Sequence, residues 1–573
     1  MTLWRPPRSG AAMLICLAAA IETCLLIVGA CAQSLHQTTT GDHRLLLLLG
    51  LFFVMFLIHL RALRLALRMP AERISVRVIV AVAVVFRMTA LFSNPIEEID
   101  LYRYLWDGQV TRADVSPYRF SPRQVSETAA GDDIPEDLRR LVQARDASPA
   151  NAVILSRIHF PQLPTIYPPV SQAVFAAAVW TTPPLASVYW RMVAMKAWFV
   201  MFDVGTILVL VHVLRLTGRH AGWLIAYAWC PLVIKEIANS GHVDAVASFL
   251  TVVAVAAAVH AVGSPGRPWR RVFSVGLCVG GLALGVGAKL YPVVLLPLVV
   301  WSVSRQHGAR TAVLSTVAFA GIGLFVLWPL VPVERLDAIP QSPEPFPPPQ
   351  RAESADLPPV PPLAAAVEPR DPSQSLRAFL SQWEMNDFLF MLLVENLRPA
   401  ADLRPEKRAW FAATPEHWRA AVVHSCQALV GQPADCIPFL VTRVLLSVIF
   451  AGMAVNWAQR AARSADPAAL PQAAFATLAW FWLLLPTANP WYLVWALPFL
   501  PFATRPVWLA LSGLALMYYL RFWFSAQFPT APACGTRYSG AQFFDFIVTW
   551  LEFAPFLAAL GADWWMRPCQ QGS

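Results

Sequence analysis

Glu97-Glu98-Ile99-Asp100-Leu101-Tyr102-Arg103-Tyr104-Leu105-Trp106-Asp107-Gly108 puts four carboxylates within twelve residues. The stretch follows directly on Val76 to Phe92, an apolar run long enough to be read as a membrane helix. A carboxylate at bilayer depth costs roughly 3 kcal/mol on insertion scales. Acidic residues crowded against a membrane face therefore point to a working site. The rest of the chain agrees with a membrane setting: 57% of its 573 residues are hydrophobic, only 14% are charged, and the mean hydropathy is +0.52. No soluble domain needs that much apolar surface. The net charge of +9 is spread over loops without a basic run, which argues against a nucleic-acid partner.

Lys and Arg stay on the cytoplasmic side of short loops, so the loops give an orientation. Arg5 and Arg8 precede a first apolar segment, near Ala11 to Ala32, and the loop Gln33 to His43 has neither residue type. After a second segment, about Leu45 to Leu60, come Arg61, Arg64, Arg68, Arg73 and Arg77. This places the N-terminus inside and the acidic stretch outside. Continuing to the C-terminus gives an all-α polytopic membrane protein with about fourteen transmembrane helices and both termini inside. Residues 1–75 supply two N-terminal helices. Residues 76–331 form a core whose long outer loop, 93–190, contains one short apolar stretch, Val170 to Trp180, read as interfacial or re-entrant. Residues 332–436 are a second outer segment, and 437–573 carry the last helices.

That second outer segment opens with twelve prolines between Pro340 and Pro372, a composition read as an extended insert. Ser375 to Leu397 is amphipathic and reads as a helix on the membrane surface. Cys426 and Cys436 lie ten residues apart in an outer loop, where an oxidising compartment favours a disulfide. The alternative is that the pair is accidental. No Walker loop, Rossmann glycine motif, nucleophile elbow or Cys/His metal spacing occurs.

In Glu98-Ile99-Asp100 the carboxylates stand two apart, a spacing that allows a shared cation or one base steadied by its neighbour. A partly buried carboxylate rises in pKa and becomes a better general base. The plainer reading is interfacial solvation with a pairing to Arg103. Asp107-Gly108 is also an ordinary turn pair, and Ser116-Pro117-Tyr118 and Thr165-Ile166-Tyr167-Pro168-Pro169 alone would mean turns. Lys235-Glu236 and Asn239-Ser240-Gly241-His242-Val243-Asp244 set polar groups at the outer ends of two apolar helices, where they must pair or line a wet cavity. Lys289, alone between apolar runs, either snorkels to headgroups or holds an anionic one. Asn489-Pro490-Trp491-Tyr492 reads as an outer turn with an aromatic belt.

In order and loop placement these motifs resemble the GT-C membrane glycosyltransferases, and within them the bacterial polyprenol-phosphate-mannose-dependent mannosyltransferases. The residues that carry the resemblance are Asp100 to Gly108, Ser116-Pro117-Tyr118, Tyr167-Pro168-Pro169, Phe202-Asp203, Gly241-His242-Val243-Asp244, Lys289-Leu290-Tyr291-Pro292 and Asn489 to Tyr492. They span roughly Phe86 to Pro501. The two leading helices and the Pro-rich insert depart from the family pattern.

The resemblance implies a GT-C-like fold in a bacterial inner membrane with the active site on the periplasmic side. There one sugar, mannose by likeness, would move with inversion from a polyprenyl-phosphate donor to a glycan, lipid or protein acceptor. It implies Asp100 as the base, with Glu98 orienting it or sharing a divalent cation (Mg or Mn) with it. It implies donor contacts from Arg103, Lys289, His242, Asp244, Tyr102, Tyr167 and Asp107. A polymerase or ligase of lipid-linked glycans uses the same outer face, and a transporter or flippase of lipid-linked sugars is the reading from another class. Against the latter, the polar groups gather at one face and no internal repeat is visible.

Overall fold

The computed structural model describes residues 9–35, 43–129, 134–263, 268–331, 371–399 and 408–565. Both chain ends and all but the last two residues of the Pro-rich stretch 340–372 lie outside them. Among the described residues the chain is all-helical, apart from one isolated bridge between Met385 and Thr487. Nine helices among the described residues are long and apolar enough to cross a membrane, or ten if the bent pair Ala221–Ala228 and Pro231–Asn239 counts as one span. The protein is a polytopic membrane protein.

Four sequence segments fall short of that length, which accounts for most of the difference from about fourteen. Val76–Leu91 and Ala469–Leu484 have 16 residues each. Leu296–His307 has 12, and the segment after Asn489 breaks into Pro490–Leu493 and Leu497–Phe502. At 1.5 Å per residue, 16 residues reach about 24 Å, less than a hydrocarbon core of about 30 Å. Prolines at 490, 498 and 501 stop the last of these from running as one helix.

The chain divides into two compact units that are each discontinuous in sequence. One is built from the segments Met1–Asn94, Leu210–Lys235 and Glu384–Ser573, the other from Pro95–Val209 and Glu236–Trp383. In the first unit, helices α1 (Ser9–Leu35), α2 (Arg44–Arg68) and α3 (Val76–Leu91) pack together. Arg87 of α3 is fully buried and donates to Ala83 O at 3.1 Å and to Ala228 O at 2.7 Å. The Ala228 carbonyl ends the first half of the bent span, where a backbone acceptor loses its helical donor. A buried cation there satisfies it.

The structure corrects two sequence expectations. Cys426 and Cys436 are free thiols. Cys426 sits inside helix Glu416–Val430, which Gly431 closes in the left-handed region at φ 68°, and Cys436 caps the helix Ile437–Arg463. The intervening residues are not the loose loop a disulfide was expected to staple. Residues 375–397 are also not one helix. Gln374–Gln382 and Leu389–Leu397 are separated by an extended segment whose Met385 N–H donates to Pro486 O at 2.8 Å.

In the second unit the segment from Asp100 to Trp180 includes five helices, α4 (Asp100–Arg112), α5 (Pro122–Glu127), α6 (Glu136–Asp146), α7 (Pro149–Ser156) and α8 (Pro169–Trp180). Long helix α9 (Val188–Leu216) follows. Local chemistry starts several of these. Ser121 and Gln124 form a capping box with Pro122 at the first helical position, and Ser148 caps α7 ahead of Pro149. Pro169 opens α8 in the same way. Every residue of α4 from Leu101 to Gly108 is buried, so the helix is packed on all sides. Its closest neighbour is α8: a Cβ on Gly108 would stand 2.6 Å from Phe175 O and 2.7 Å from a Val179 methyl. Gly108→Ala is therefore expected to destabilise the protein by about 1–3 kcal/mol. A thermal melt in detergent checks this, and an unchanged midpoint would show that the helices can part.

Candidate active site

α4 begins just after Ile99, and its first residue is Asp100. The Glu98 side chain folds back over this start. Its Oε1 accepts from the N–H groups of Ile99 at 2.9 Å and Asp100 at 2.6 Å. An anion there satisfies first-turn donors and complements the helix dipole. The other Glu98 oxygen, Oε2, lies 3.1 Å from His242 Nε2. Both oxygens are thus engaged, one in capping and one in ion pairing.

His242 reaches this place because the chain loops tightly. After a wide helical turn, Ile234–Asn239, His242 N–H donates back to Glu236 O at 3.0 Å, and Gly241 takes φ 76°. A Cβ at Gly241 would fall 2.8 Å from the Lys196 stem and 2.9 Å from Leu101, so glycine suits both the conformation and the space. The imidazole Nε2 also lies 3.2 Å from Glu236 Oε2. Burial alone would lower the His242 pKa, but the Glu98 and Glu236 carboxylates outweigh it and hold it up at about 10. His242 is therefore an imidazolium at neutral pH, wedged between two carboxylates.

Asp100 is partly exposed, while Glu236, His242 and Asp244 are buried. Its Oδ2 accepts from Tyr167 O–H at 3.0 Å, and Tyr104 O–H stands 3.5 Å away. Burial of the carboxyl, then the neighbouring Glu98 charge, raise its pKa to about 6. His242, the Tyr167 bond and Lys289 work the other way without cancelling the rise. Lys289 is itself held by Asp244, with Nζ 2.7 and 2.8 Å from the two carboxylate oxygens. The groups on the partly exposed rim are Asp100, Tyr167 and Lys289.

The remaining expected residues take other places. Arg103 is buried and donates to the carbonyls of Leu163 (3.1 Å), Phe160 (3.0 Å) and His159 (3.4 Å), so its guanidinium ties down the outer loop. Tyr102, on α4 beside Arg103, accepts at 2.8 Å from Arg157, the residue that closes α7. Asp107 is buried against Gln172, whose Nε2 is 3.2 Å from Asp107 Oδ2, 3.0 Å from Thr165 Oγ1 and 3.2 Å from Tyr167 O. Burial raises the Asp107 pKa, against the pull of Arg103 and the Thr165 and Gln172 bonds. Gln172 and Thr165 carry no motif of their own; only the polar Gln in the apolar run Val170 to Trp180 could have marked one of them. Glu236 was visible in sequence as a partner for Lys235, but its carboxylate instead meets His242.

Glu98, Asp100 and His242 can each offer one ligand atom, and these atoms lie within 4.8 Å of one another. Two carboxylates with an imidazole nitrogen suit Mn²⁺ or Zn²⁺ better than Mg²⁺, which prefers oxygen alone. A metal there would take the position that the His242 proton now serves. No protein-family model, no curated protein and no solved structure matches this chain.

Proposed function

We propose that the chain is a GT-C-type membrane glycosyltransferase that moves one sugar from a polyprenyl-phosphate donor to an acceptor hydroxyl on the outer face, with inversion. The observation that carries this reading is Asp100. The residue is half-exposed, its carboxylate accepts from Tyr167, its backbone N–H is capped by Glu98, and burial with the Glu98 charge raises its pKa to about 6. A base is most useful when its pKa approaches the working pH. Asp100 takes the acceptor hydroxyl proton as that oxygen bonds to the anomeric carbon. The bond from that carbon to the lipid phosphate breaks, and its electron pair leaves with the phosphate.

The leaving phosphate needs a cation more than a proton, and Lys289, fixed by Asp244, is the rim cation placed to supply it by a charge-assisted hydrogen bond. Arg103, with its donors turned to loop carbonyls, supports the loop instead. A divalent ion held by Glu98, Asp100 and His242 would add charge stabilisation for a sugar phosphate. In the same reading the membrane is a bacterial inner membrane, both termini are cytoplasmic, and mannose is the sugar by resemblance. The acceptor is a glycan, lipid or protein.

The test is transfer of sugar by the purified protein in lipid from polyprenyl-phosphate-mannose, followed by the same assay with other polyprenyl-phosphate sugars. Product formation supports the reading; no turnover and no donor binding across the series sinks it. The bent span Ala221–Ala228 with Pro231–Asn239 is the one feature that favours a transporter. At its break the Ala228 carbonyl accepts from Arg87, a bond that fixes the bend.

The pH profile follows from the same carboxylate. Only ionised Asp100 accepts a proton, and its pKa is raised, so activity rises with pH through about 6. At pH 5 about one tenth of the limiting kcat/KM should remain. An acid limb at the ordinary aspartate range, near pH 4, would remove Asp100 from the role.

A further inference from the structure

The motif Trp106-Asp107-Gly108 and the backbone of Tyr167-Pro168-Pro169 are left without a role by the reading above, and the geometry joins them. Asp107 on α4 and the buried Thr165 and Tyr167 backbone of the outer loop all converge on the single side-chain amide of Gln172, in the first turns of α8. Tyr118 O–H donates to the same Tyr167 carbonyl at 2.8 Å, and Tyr167 N–H donates to Thr165 Oγ1 at 3.2 Å. Above this anchored backbone the Tyr167 ring is gripped edge-on by Tyr104 at 4.9 Å and by Phe175 at 5.7 Å between centroids. Gly108 lets α4 and α8 approach to backbone contact, which brings Asp107 within reach of Gln172.

We propose that Gln172, with Asp107 and Tyr118, forms a clamp that positions the Tyr167 hydroxyl on Asp100. The clamp residues act on Asp100 through Tyr167 and are positioning residues. Gln172 gives its side-chain N–H groups to the three acceptors while its Oε1 is buried without a hydrogen-bond partner, so the amide is held from its donor side. A ring fixed at its backbone and on two faces loses little further freedom when its O–H meets Asp100. The sequence marks of the device are a glycine directly after the buried aspartate and a glutamine three residues after the second proline of Tyr-Pro-Pro.

In catalysis the proposal rests on the reading of Asp100 as the base, so its test has an arm that needs no activity. Gln172→Leu keeps the volume and removes the bonds, and Tyr118→Phe removes a single hydroxyl for the case that the first variant fails to fold. With 3-fluorotyrosine at position 167, one narrow ¹⁹F line is expected in the unchanged background, and a broadened or split line in each variant. An unchanged line in a folded variant overturns the clamp whether or not the protein transfers sugar.

In the transfer assay, Gln172→Leu should lower kcat about tenfold with the donor KM within about twofold, as a group acting only through the reacting geometry does. Tyr167→Phe should lower it similarly, and the double variant should be no slower than Tyr167→Phe alone. Losses that multiply in the double variant overturn the proposal. Absence of transfer in the unchanged protein refutes the glycosyltransferase reading and leaves the ¹⁹F result to judge the clamp.

Discussion

Asp100→Asn is expected to lower sugar transfer about 10³-fold while the protein remains folded. The size follows from what a positioned base contributes, about 10²–10⁴ in rate. The change keeps the shape of the side chain and its capacity to accept from Tyr167, whose O–H lies 3.0 Å from Oδ2. It removes one of the carboxylates that crowd the cluster, and the pKa of Asp100 is raised by burial and by Glu98, so stability should rise slightly rather than fall. Loss of activity with an unchanged or higher melting temperature therefore separates chemistry from folding. Transfer retained within about threefold would leave Asp100 as a structural acceptor and exclude it as the base. Glu98 is a poor substitute in that case, because its oxygens already cap α4 and pair with His242.

The second large effect is expected at His242. Four carboxylates (Glu98, Asp100, Glu236 and Asp244) gather with two cations, His242 and Lys289, in the surroundings just described. His242→Gln keeps a hydrogen-bond donor but deletes the charge between Glu98 and Glu236, which then face each other without compensation. Breaking a buried ion pair by removing one partner costs about 3–5 kcal/mol. Since the Glu98 cap would be disturbed, transfer should fall at least 10²-fold as well. A thermal melt alongside the transfer assay reads both losses.

The pH dependence gives a control. The His242 pKa is raised, so the stability it contributes is complete below the ordinary histidine range and is lost as pH climbs toward about 10. The unchanged protein should therefore destabilise between pH 7 and 10, and His242→Gln should lack that slope. A variant as stable as the unchanged protein, with the same slope, would show that the imidazolium is not what holds the carboxylates.

The legible part of the site was its first member. Four acidic residues behind an apolar run mark a position where a charge cannot be incidental, and the tight Asn239 to Asp244 turn marked a second. The misreadings share a cause. Arg103 stands three residues from Asp100, a spacing that allows pairing on one helix, yet its guanidinium turns to carbonyls at 159, 160 and 163. Asp107-Gly108 has the form of a surface turn, yet both residues are buried in mid-helix. Cys426 and Cys436 are close in sequence, yet one is inside a helix and the other begins the next. Spacing states which contacts are allowed; it does not state which competitor for the same donor lies nearer.

What the sequence by itself determined is the class of protein, a polytopic membrane protein. Hydropathy is a sum over about twenty neighbouring residues, and the cost of burying a charge in lipid is paid locally, so both are readable from a single strand of letters. The tertiary structure alone decided the partners. His242 between Glu98 and Glu236, Lys289 on Asp244, and Gln172 beneath Tyr167 depend on how far each helix is turned and how deeply it is set against the next. That register comes from packing between distant segments, such as the backbone contact that Gly108 permits with Phe175. Electrostatic and hydrogen-bond energies vary steeply over the few ångströms that this register sets, so the partners follow the packing and not the spacing in sequence.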